Sequence, residues 1–103
     1  MSLLTELTAA YQERAALRDV ALRAFADTYV QRVRQAVQAL RPTVEFSKAE
    51  MDAAWRKEGF EHSDIALYVG DTLRREGLQV NALSRKVDRD EYDIILLVSG
   101  WTK

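Results

Sequence analysis

The sequence contains no cysteine, one proline, four glycines and one histidine among its 103 residues. Without cysteine, a disulfide framework and a thiolate metal site are both excluded. His62 alone leaves little imidazole chemistry. No run approaches the roughly twenty apolar residues of a membrane-spanning helix, and the amino terminus lacks the basic start and apolar run of a signal peptide. We therefore expect a cytoplasmic protein with no membrane partner, no cofactor and no metal.

The charge of the chain is nearly balanced, with fifteen basic and sixteen acidic residues. A total so close to zero does not require a nucleic-acid partner. The two parts of the chain differ in net charge. Residues 1–42 carry six arginines and four acids, whereas residues 43–103 carry nine basic and twelve acidic residues. With 48% apolar residues, the chain suffices for one domain with one modest core. We expect that domain to have two parts, a helix over residues 1–42 and a compact unit over residues 43–103.

A single long helix is predicted from Leu3 to Arg41, a stretch without glycine or proline. Its apolar residues recur on average every 3.6 positions, the period of a straight helix, and Arg18 is the one interruption. Ser2 is the expected N-cap, and Pro42 prevents the helix from continuing. The apolar stripe comprises Leu4, Leu7, Tyr11, Ala15, Arg18, Leu22, Phe25, Tyr29, Val33, Ala36 and Leu40.

This helix is too long for the domain. About 38 helical residues extend roughly 57 Å, whereas a compact domain of this size is about 34 Å across. Either the helix breaks near Arg18 and Asp19, or one end projects and buries its stripe against another chain. A helical hairpin within one chain is a third alternative, although no turn residues support it. We favour a homodimer or a complex with a protein partner, formed through Leu4, Leu7, Tyr11, Leu22, Phe25 and Tyr29.

Residues 43–60 predict a short strand and a well-delimited helix. The alternation and β-branching of TVEF, residues 43–46, favour the strand. Ser47 begins an S-x-x-E capping box, and Phe46 and Met51 have the spacing of a hydrophobic staple. Gly59 supplies the left-handed residue that ends the helix.

A second helix and a hairpin are predicted after residue 60. Ser63 is the expected helix cap, Gly77 the left-handed end, and Gly70 the mark of another backbone approaching closely. The apolar period then changes to two, which predicts a hairpin with a polar turn at residues 88–91. The last strand, residues 92–99, is apolar on both faces. We expect it to be central, with helices on one face and the long helix or a second subunit on the other.

The predicted order is a long helix, a strand, two helices and a hairpin, an α+β fold with a small antiparallel sheet. The segments TVEF, SKAEMDAAWRKEG, SDIALYVGDTLRREGL and YDIILLVSG together resemble a winged helix-turn-helix domain. The resemblance covers most of the chain and implies that the first strand joins the sheet beside the last. It also implies a dimeric DNA-binding transcriptional regulator, in which the second of these helices enters the major groove and the hairpin tip contacts phosphates.

The residues that would contact DNA are only partly suited to it. Asp64 and Asp71 share the outward face of the second helix with its basic residues, and the compact unit is acidic overall. The basic stretch over residues 31–41 is explained most simply as a solvated helix face. Trp101 either docks back on the domain, which we favour, or contacts a partner. The candidate residues for binding a partner or nucleic acid are Arg32, Arg34, Arg41, Leu67, Arg74, Arg75, Arg85, Lys86, Arg89 and Trp101.

Catalysis has little support in the sequence. His62, Ser63 and Asp64 are the one local group of catalytic residue types, but adjacent residues at a helix start point in different directions. Helix capping explains the serine and the aspartate without chemistry. We therefore predict a non-enzymatic module that acts through protein–protein interaction as a small regulator or inhibitor, with no small-molecule substrate. A DNA-binding regulator is the alternative.

Overall fold

The first helix is long and unbroken. The computed structural model of the protein describes residues 2–60 and 64–102, and α1 covers Leu3–Gln38. Ser2 caps this helix, because its Oγ accepts a hydrogen bond from the Thr5 N–H at 3.2 Å. The helix continues through Arg18 and Asp19, so it contains neither the break nor the hairpin that were considered as alternatives.

The carboxyl-terminal end of α1 corrects two predictions. The helix ends at Gln38 and not at Arg41, and Leu40 is 90% exposed instead of belonging to the buried stripe. Pro42 disfavours helical geometry at the preceding residue, Arg41, so the helix ends before the predicted position. Leu40 adopts the left-handed conformation with a φ of 60°, and the Arg41 N–H donates to the Ala36 carbonyl at 2.9 Å. This is a Schellman ending with leucine where glycine is usual.

Replacing Leu40 with glycine is expected to raise the free energy of unfolding by about 1 kcal/mol, because a left-handed residue with a Cβ costs about 1–2 kcal/mol. Little packing is lost, since the side chain is exposed. Urea unfolding of L40G and L40A measures the effect. The L40A variant keeps the Cβ and should match the wild type. Equal gains in both variants would contradict strain as the cause.

The compact unit begins with a strand and a helix, as predicted. Ser47 Oγ accepts from the Glu50 N–H at 3.3 Å and so caps the helix. Phe46 and Met51 are both buried, as a hydrophobic staple requires. The elements of this unit are β1 (Val44–Ser47), α2 (Lys48–Lys57), α3 (Ile65–Arg75), β2 (Gln79–Asp88) and β3 (Glu91–Ser99).

Two glycines of the compact unit, Gly59 and Gly77, have the predicted role at helix ends, and a third, Gly70, does not have its predicted role. Gly59 and Gly77 lie just after α2 and α3 with φ values of 85° and 88°, as left-handed helix ends require. Gly70 has side chains, not another backbone, as its neighbours. A Cβ there would lie 3.7 Å from Leu96 Cδ1, an ordinary contact, so the predicted backbone approach is wrong. The predicted cap Ser63 lies outside the described residues.

The three strands form one antiparallel sheet in the order β1-β3-β2. Val98 of β3 lies opposite Val44 of β1 on one side and opposite Val80 of β2 on the other. The prediction that the last strand is central, with the first strand beside it, is confirmed. The fold class is α+β, and the arrangement of helix, strand, helices and hairpin is compatible with a winged-helix-like fold.

All three helices pack on one face of this sheet. Leu96 and Val98 of β3 share one apolar cluster with buried residues of α1, α2 and α3. The buried residues that α1 contributes to this cluster are Ala26, Tyr29 and Val33. Of the two predicted ways to cover the second face of β3, the long helix is therefore wrong, and a second subunit stays a prediction.

An ion pair crosses the second face. Arg85 Nη2 on β2 lies 3.0 Å from both carboxylate oxygens of Glu45 on β1. Because β3 separates these two strands, the pair passes over β3 on the face opposite Leu96. Ile95 is buried on this face. The methylene groups of arginine cover apolar surface effectively, which accounts for a buried isoleucine on the face that the helices leave open.

The molecule is elongated, with a radius of gyration of 16.9 Å and extents of 60 × 35 × 18 Å. A compact chain of this length would have a radius of gyration near 13 Å. The longest extent corresponds to α1, whose 36 residues extend about 54 Å. Residues 2–14 are exposed, and the buried residues of α1 begin only at Ala26. The first three turns of α1 therefore project from the compact unit.

Candidate functional site

A line of exposed apolar side chains lies on the projecting end of α1. Leu4 is 75% exposed, Leu7 57% and Tyr11 72%. Ala15 and Arg18 continue the line at helical spacing, and we call these five residues the amino-terminal stripe. Single exposed apolar residues are ordinary, but contiguous ones mark interaction surfaces. This stripe is the leading candidate for a functional site.

The amino-terminal stripe lies on the same face of α1 as the residues that pack on the compact unit. Eighteen residues at 3.6 per turn make five full turns, so side chains eighteen positions apart point in the same direction. The exposed apolar residues precede core-facing ones by this interval: Leu4, Leu7 and Tyr11 precede Leu22, Phe25 and Tyr29. The core-facing surface of α1 thus continues past the compact unit and stays exposed there.

Leu22, Phe25 and Tyr29, which were also predicted to mediate self-association, pack within the chain. The Phe25 ring centroid lies 5.5 Å from that of Trp55, and the Tyr29 centroid lies 4.9 Å from that of Phe46. Burial raises the pKa of the Tyr29 hydroxyl. Of the six residues predicted to mediate self-association, Leu4, Leu7 and Tyr11 are therefore the exposed ones.

A groove of about 420 Å³ lies where the stripe meets the compact unit, and we call it the junction groove. Its walls include Arg14, whose guanidinium stacks 4.3 Å above the Phe60 ring centroid and whose Nη2 donates to the Gly59 carbonyl at 2.6 Å. Sequence reasoning missed this contact, because no local pattern joins residues 45 positions apart. The lining residues are Tyr11, Arg14, Ala15, Arg18, Gly59 and Phe60.

The three arginines near the end of α1 do not form one basic cluster. Arg32 and Arg41 line a groove of about 440 Å³ between α1 and β1, together with Glu45 and Glu50. The Arg32 guanidinium lies 5.3 Å from the Tyr29 ring centroid. Arg34 lines a different groove, next to Trp101. Their assignment as candidate residues for binding a partner or nucleic acid stays a prediction, and the acids beside two of them weaken the nucleic-acid alternative.

The basic residues of α3 are mixed with acids, as the sequence indicated. Arg74 donates to Asp71 Oδ1 at 3.2 Å and to the Val80 carbonyl at 3.1 Å. Arg75 is exposed in the last turn of the helix. Leu67 is exposed at the rim of an apolar groove of about 210 Å³ between α3 and the hairpin. This helix therefore presents a surface of mixed polarity.

The hairpin holds its three basic residues in different surroundings. Arg85 is engaged by Glu45 across the sheet, whereas Lys86 and Arg89 are exposed near the tip. The Arg89 N–H donates to Asp88 Oδ1 at 2.7 Å. The predicted contact of the hairpin tip with DNA phosphates stays a prediction.

Trp101 docks back on the domain, as expected. Its Nε1 donates to the Arg41 carbonyl at 2.8 Å, and its ring packs against the core. The bond satisfies a carbonyl just after the end of α1. Trp101 also borders a groove of about 400 Å³ with Val37 and Leu78.

Catalysis by His62 and Ser63, which has little support in the sequence, falls on residues outside the described part of the chain. Among residues 2–60 and 64–102, no three acidic or histidine side chains are grouped so that they could bind a metal ion. Within the same ranges, no helix has both the length and the apolar character needed to cross a bilayer.

Comparison with protein-family models, with curated proteins and with solved structures found no match for this chain. Its function must therefore be inferred from its own surfaces.

Proposed function

We propose that the protein is a non-enzymatic binding module that self-associates through the amino-terminal stripe. The observation that carries the proposal is the continuity of this stripe with the core-facing side of α1, five helical turns further along. Residues of one face are buried where the compact unit lies and exposed where it ends. A second copy of the same helix would cover the exposed part.

The expected strength is that of a reversible dimer. Burying a side chain of this size is worth about 1.5–3 kcal/mol, and Leu4, Leu7 and Tyr11 from two copies supply six such side chains. Association costs about 4–15 kcal/mol in lost motion. The free energy gained by burial exceeds this cost by little, so we expect a reversible monomer–dimer equilibrium that shifts with concentration.

We further infer that the compact unit is a winged-helix-like domain and that the protein acts as a small cytoplasmic regulator or inhibitor. The order of its elements and the central position of β3 support the first inference. The ion pairs of Arg74 with Asp71 and of Arg85 with Glu45 favour a protein partner over DNA, because they engage basic residues that phosphates would need.

Replacing Leu7 with glutamate is expected to weaken self-association at least tenfold. The substitution removes an apolar side chain from the stripe and introduces a carboxylate that would lose its hydration in the dimer, which is unfavourable. Sedimentation equilibrium of the wild type and of L7E over a range of concentrations measures the effect.

Val20→Glu is the matched control. Val20 is exposed like Leu7, but thirteen residues place it on nearly the opposite side of the helix. The V20E variant should self-associate like the wild type. A wild-type chain that stays monomeric at hundreds of micromolar, or equal weakening by both substitutions, would contradict the proposal.

A further inference from the structure

We infer that two copies pair antiparallel about a two-fold axis at Tyr11, and that Leu4 and Leu7 of each copy fill the junction groove of the other. This inference rests on the proposed self-association and adds its orientation, its register and a second contact surface around Phe60. The interface would be isologous, the commonest symmetry among soluble oligomers.

The position of the compact unit excludes the parallel orientation. Packed helices are about 8–10 Å apart. In a parallel pair, the faces that bear the stripes would meet, and the two compact units, which lie on those same faces further along, would have to share the space between the helices. The molecule is 35 and 18 Å wide in its shorter dimensions, so both units do not fit. An antiparallel pair places the two compact units at opposite ends.

The spacing of the stripe defines the register. Its five positions are 4, 7, 11, 15 and 18, with intervals of three, four, four and three residues. These intervals are symmetric about Tyr11. An antiparallel pair centred there places each stripe residue opposite another one, with Leu7 facing Ala15 and Leu4 facing Arg18. Tyr11 lies opposite its own copy on the axis, and each leucine meets a flexible or small side chain, which allows close packing.

The junction groove lies where this register needs it. Ala15 and Arg18 line the groove, and they are the residues that face Leu7 and Leu4 of the second copy. Its volume of about 420 Å³ leaves space for these two leucines. The Phe60 ring lies partly exposed at this point of the compact unit and would be covered by the incoming helix end.

The charges agree with the antiparallel orientation. In a parallel pair in register, Arg18 of the stripe would face its own copy, and the repulsion of two like charges is unfavourable. In the antiparallel pair Arg18 faces Leu4, and the turn from Leu4 to Thr8 carries no basic residue.

Cysteine cross-linking tests the register, and the absence of native cysteine removes any background. The L4C and R18C variants are mixed in equal amounts and oxidised. Disulfides need Cα atoms about 4.4–6.8 Å apart, so we expect the mixed L4C–R18C disulfide to exceed the L4C homodimer at least tenfold. The two species are separated by mass. A dominant L4C homodimer would overturn the antiparallel arrangement while leaving self-association intact.

Spin-label distances give an independent measurement. Gln12 and Asp27 are exposed away from the stripe and accept labels through Q12C and D27C. At 1.5 Å per residue, the labels at position 27 should lie about 48 Å apart along the axis, and those at position 12 should be close to one another. Similar distances at both positions would overturn the orientation. A monomeric wild-type chain in sedimentation would instead overturn the proposed function itself.

Discussion

Replacing Trp55 with alanine is expected to lower the free energy of unfolding by about 3–5 kcal/mol, the usual cost of removing a large buried aromatic side chain. Domains of this size are stable by only about 5–15 kcal/mol. The variant would therefore be close to unfolding at room temperature. Urea unfolding monitored by far-ultraviolet circular dichroism measures the loss, since it does not depend on tryptophan fluorescence.

The large effect follows from the position of Trp55 between three parts of the fold. The side chain belongs to α2 and is only 2% exposed. The Phe25 ring of α1 contacts it edge-on at 5.5 Å, and the Phe60 ring stacks on it at 5.2 Å. Removing the indole would leave a cavity between α1 and the compact unit. The loss would also loosen Phe60 and the junction groove.

Trp101→Ala provides the matched control, because the same atoms are removed from a less buried site. That side chain is half-buried and makes one hydrogen bond, to Arg41, so we expect a loss of about 1 kcal/mol. Equal losses for W55A and W101A would contradict the assignment of Trp55 to the centre of the core. Wild-type stability of the W55A variant would contradict that assignment more directly.

The local elements of the fold could be predicted because their signals lie within a few residues of one another. The capping position of Ser47 and the left-handed glycines Gly59 and Gly77 depend on neighbouring residues, and the structure confirms them. The central position of β3 was predicted from its two apolar faces, which only a middle strand buries well. These signals were sufficient for the α+β class and the strand order.

The departures arise from a nearby helix-ending residue in one case and from contacts between distant parts of the chain in the other. The helical period placed Leu40 in the stripe, but Pro42 ends the helix first, and Leu40 is exposed. On the second face of β3, the Arg85–Glu45 pair from the adjacent strands passes over Ile95 where a helix was predicted. No pattern within β2 or β1 predicts that pairing, since forty residues separate the two side chains.

Only part of the candidate site could be predicted from the sequence, because contacts with distant parts of the chain again decide which residues are buried. The length of the helix compared with the size of the domain indicated either a break or a projecting end, and Leu4, Leu7 and Tyr11 are exposed. Periodicity shows which residues share a face, but it does not show where the compact unit begins to cover that face. Phe25 and Tyr29 were therefore assigned to an interface although they pack in the core.

Asp93 is the clearest example of a stabilising residue that has no local signal. It lies on β3, 46 residues after Ser47, and accepts a hydrogen bond from the Ser47 hydroxyl. It also accepts one from the Ala49 N–H at 3.1 Å. Both donors lie at the amino-terminal end of α2, where a negative charge is favourable. Asp93 thereby joins the central strand to the start of that helix.

Replacing Asp93 with asparagine is expected to lower the free energy of unfolding at neutral pH by about 1–2 kcal/mol, the low end for hydrogen bonds to a charged group because water screens this surface site. Asp90→Asn is the control, since it removes a carboxylate that is exposed at the hairpin turn. The D90N variant should change stability by less than about 0.5 kcal/mol. Equal effects of the two substitutions would contradict a specific role for Asp93.

The stabilisation by Asp93 should also depend on pH. The hydrogen bond from Ser47, followed by those from the Ala49 and Ile94 N–H groups and by the charge of Lys48, lowers the pKa of Asp93 below its ordinary value of 3.8. The unfolded chain therefore takes up a proton more readily than the folded protein does. The contribution is complete above that ordinary value and is lost as the pH falls through the lower pKa of the folded state. Urea unfolding at a series of pH values should show the wild type and D93N separated at pH 7 and converging in acid, whereas a constant difference would mean that asparagine fails for steric reasons and not through the lost charge.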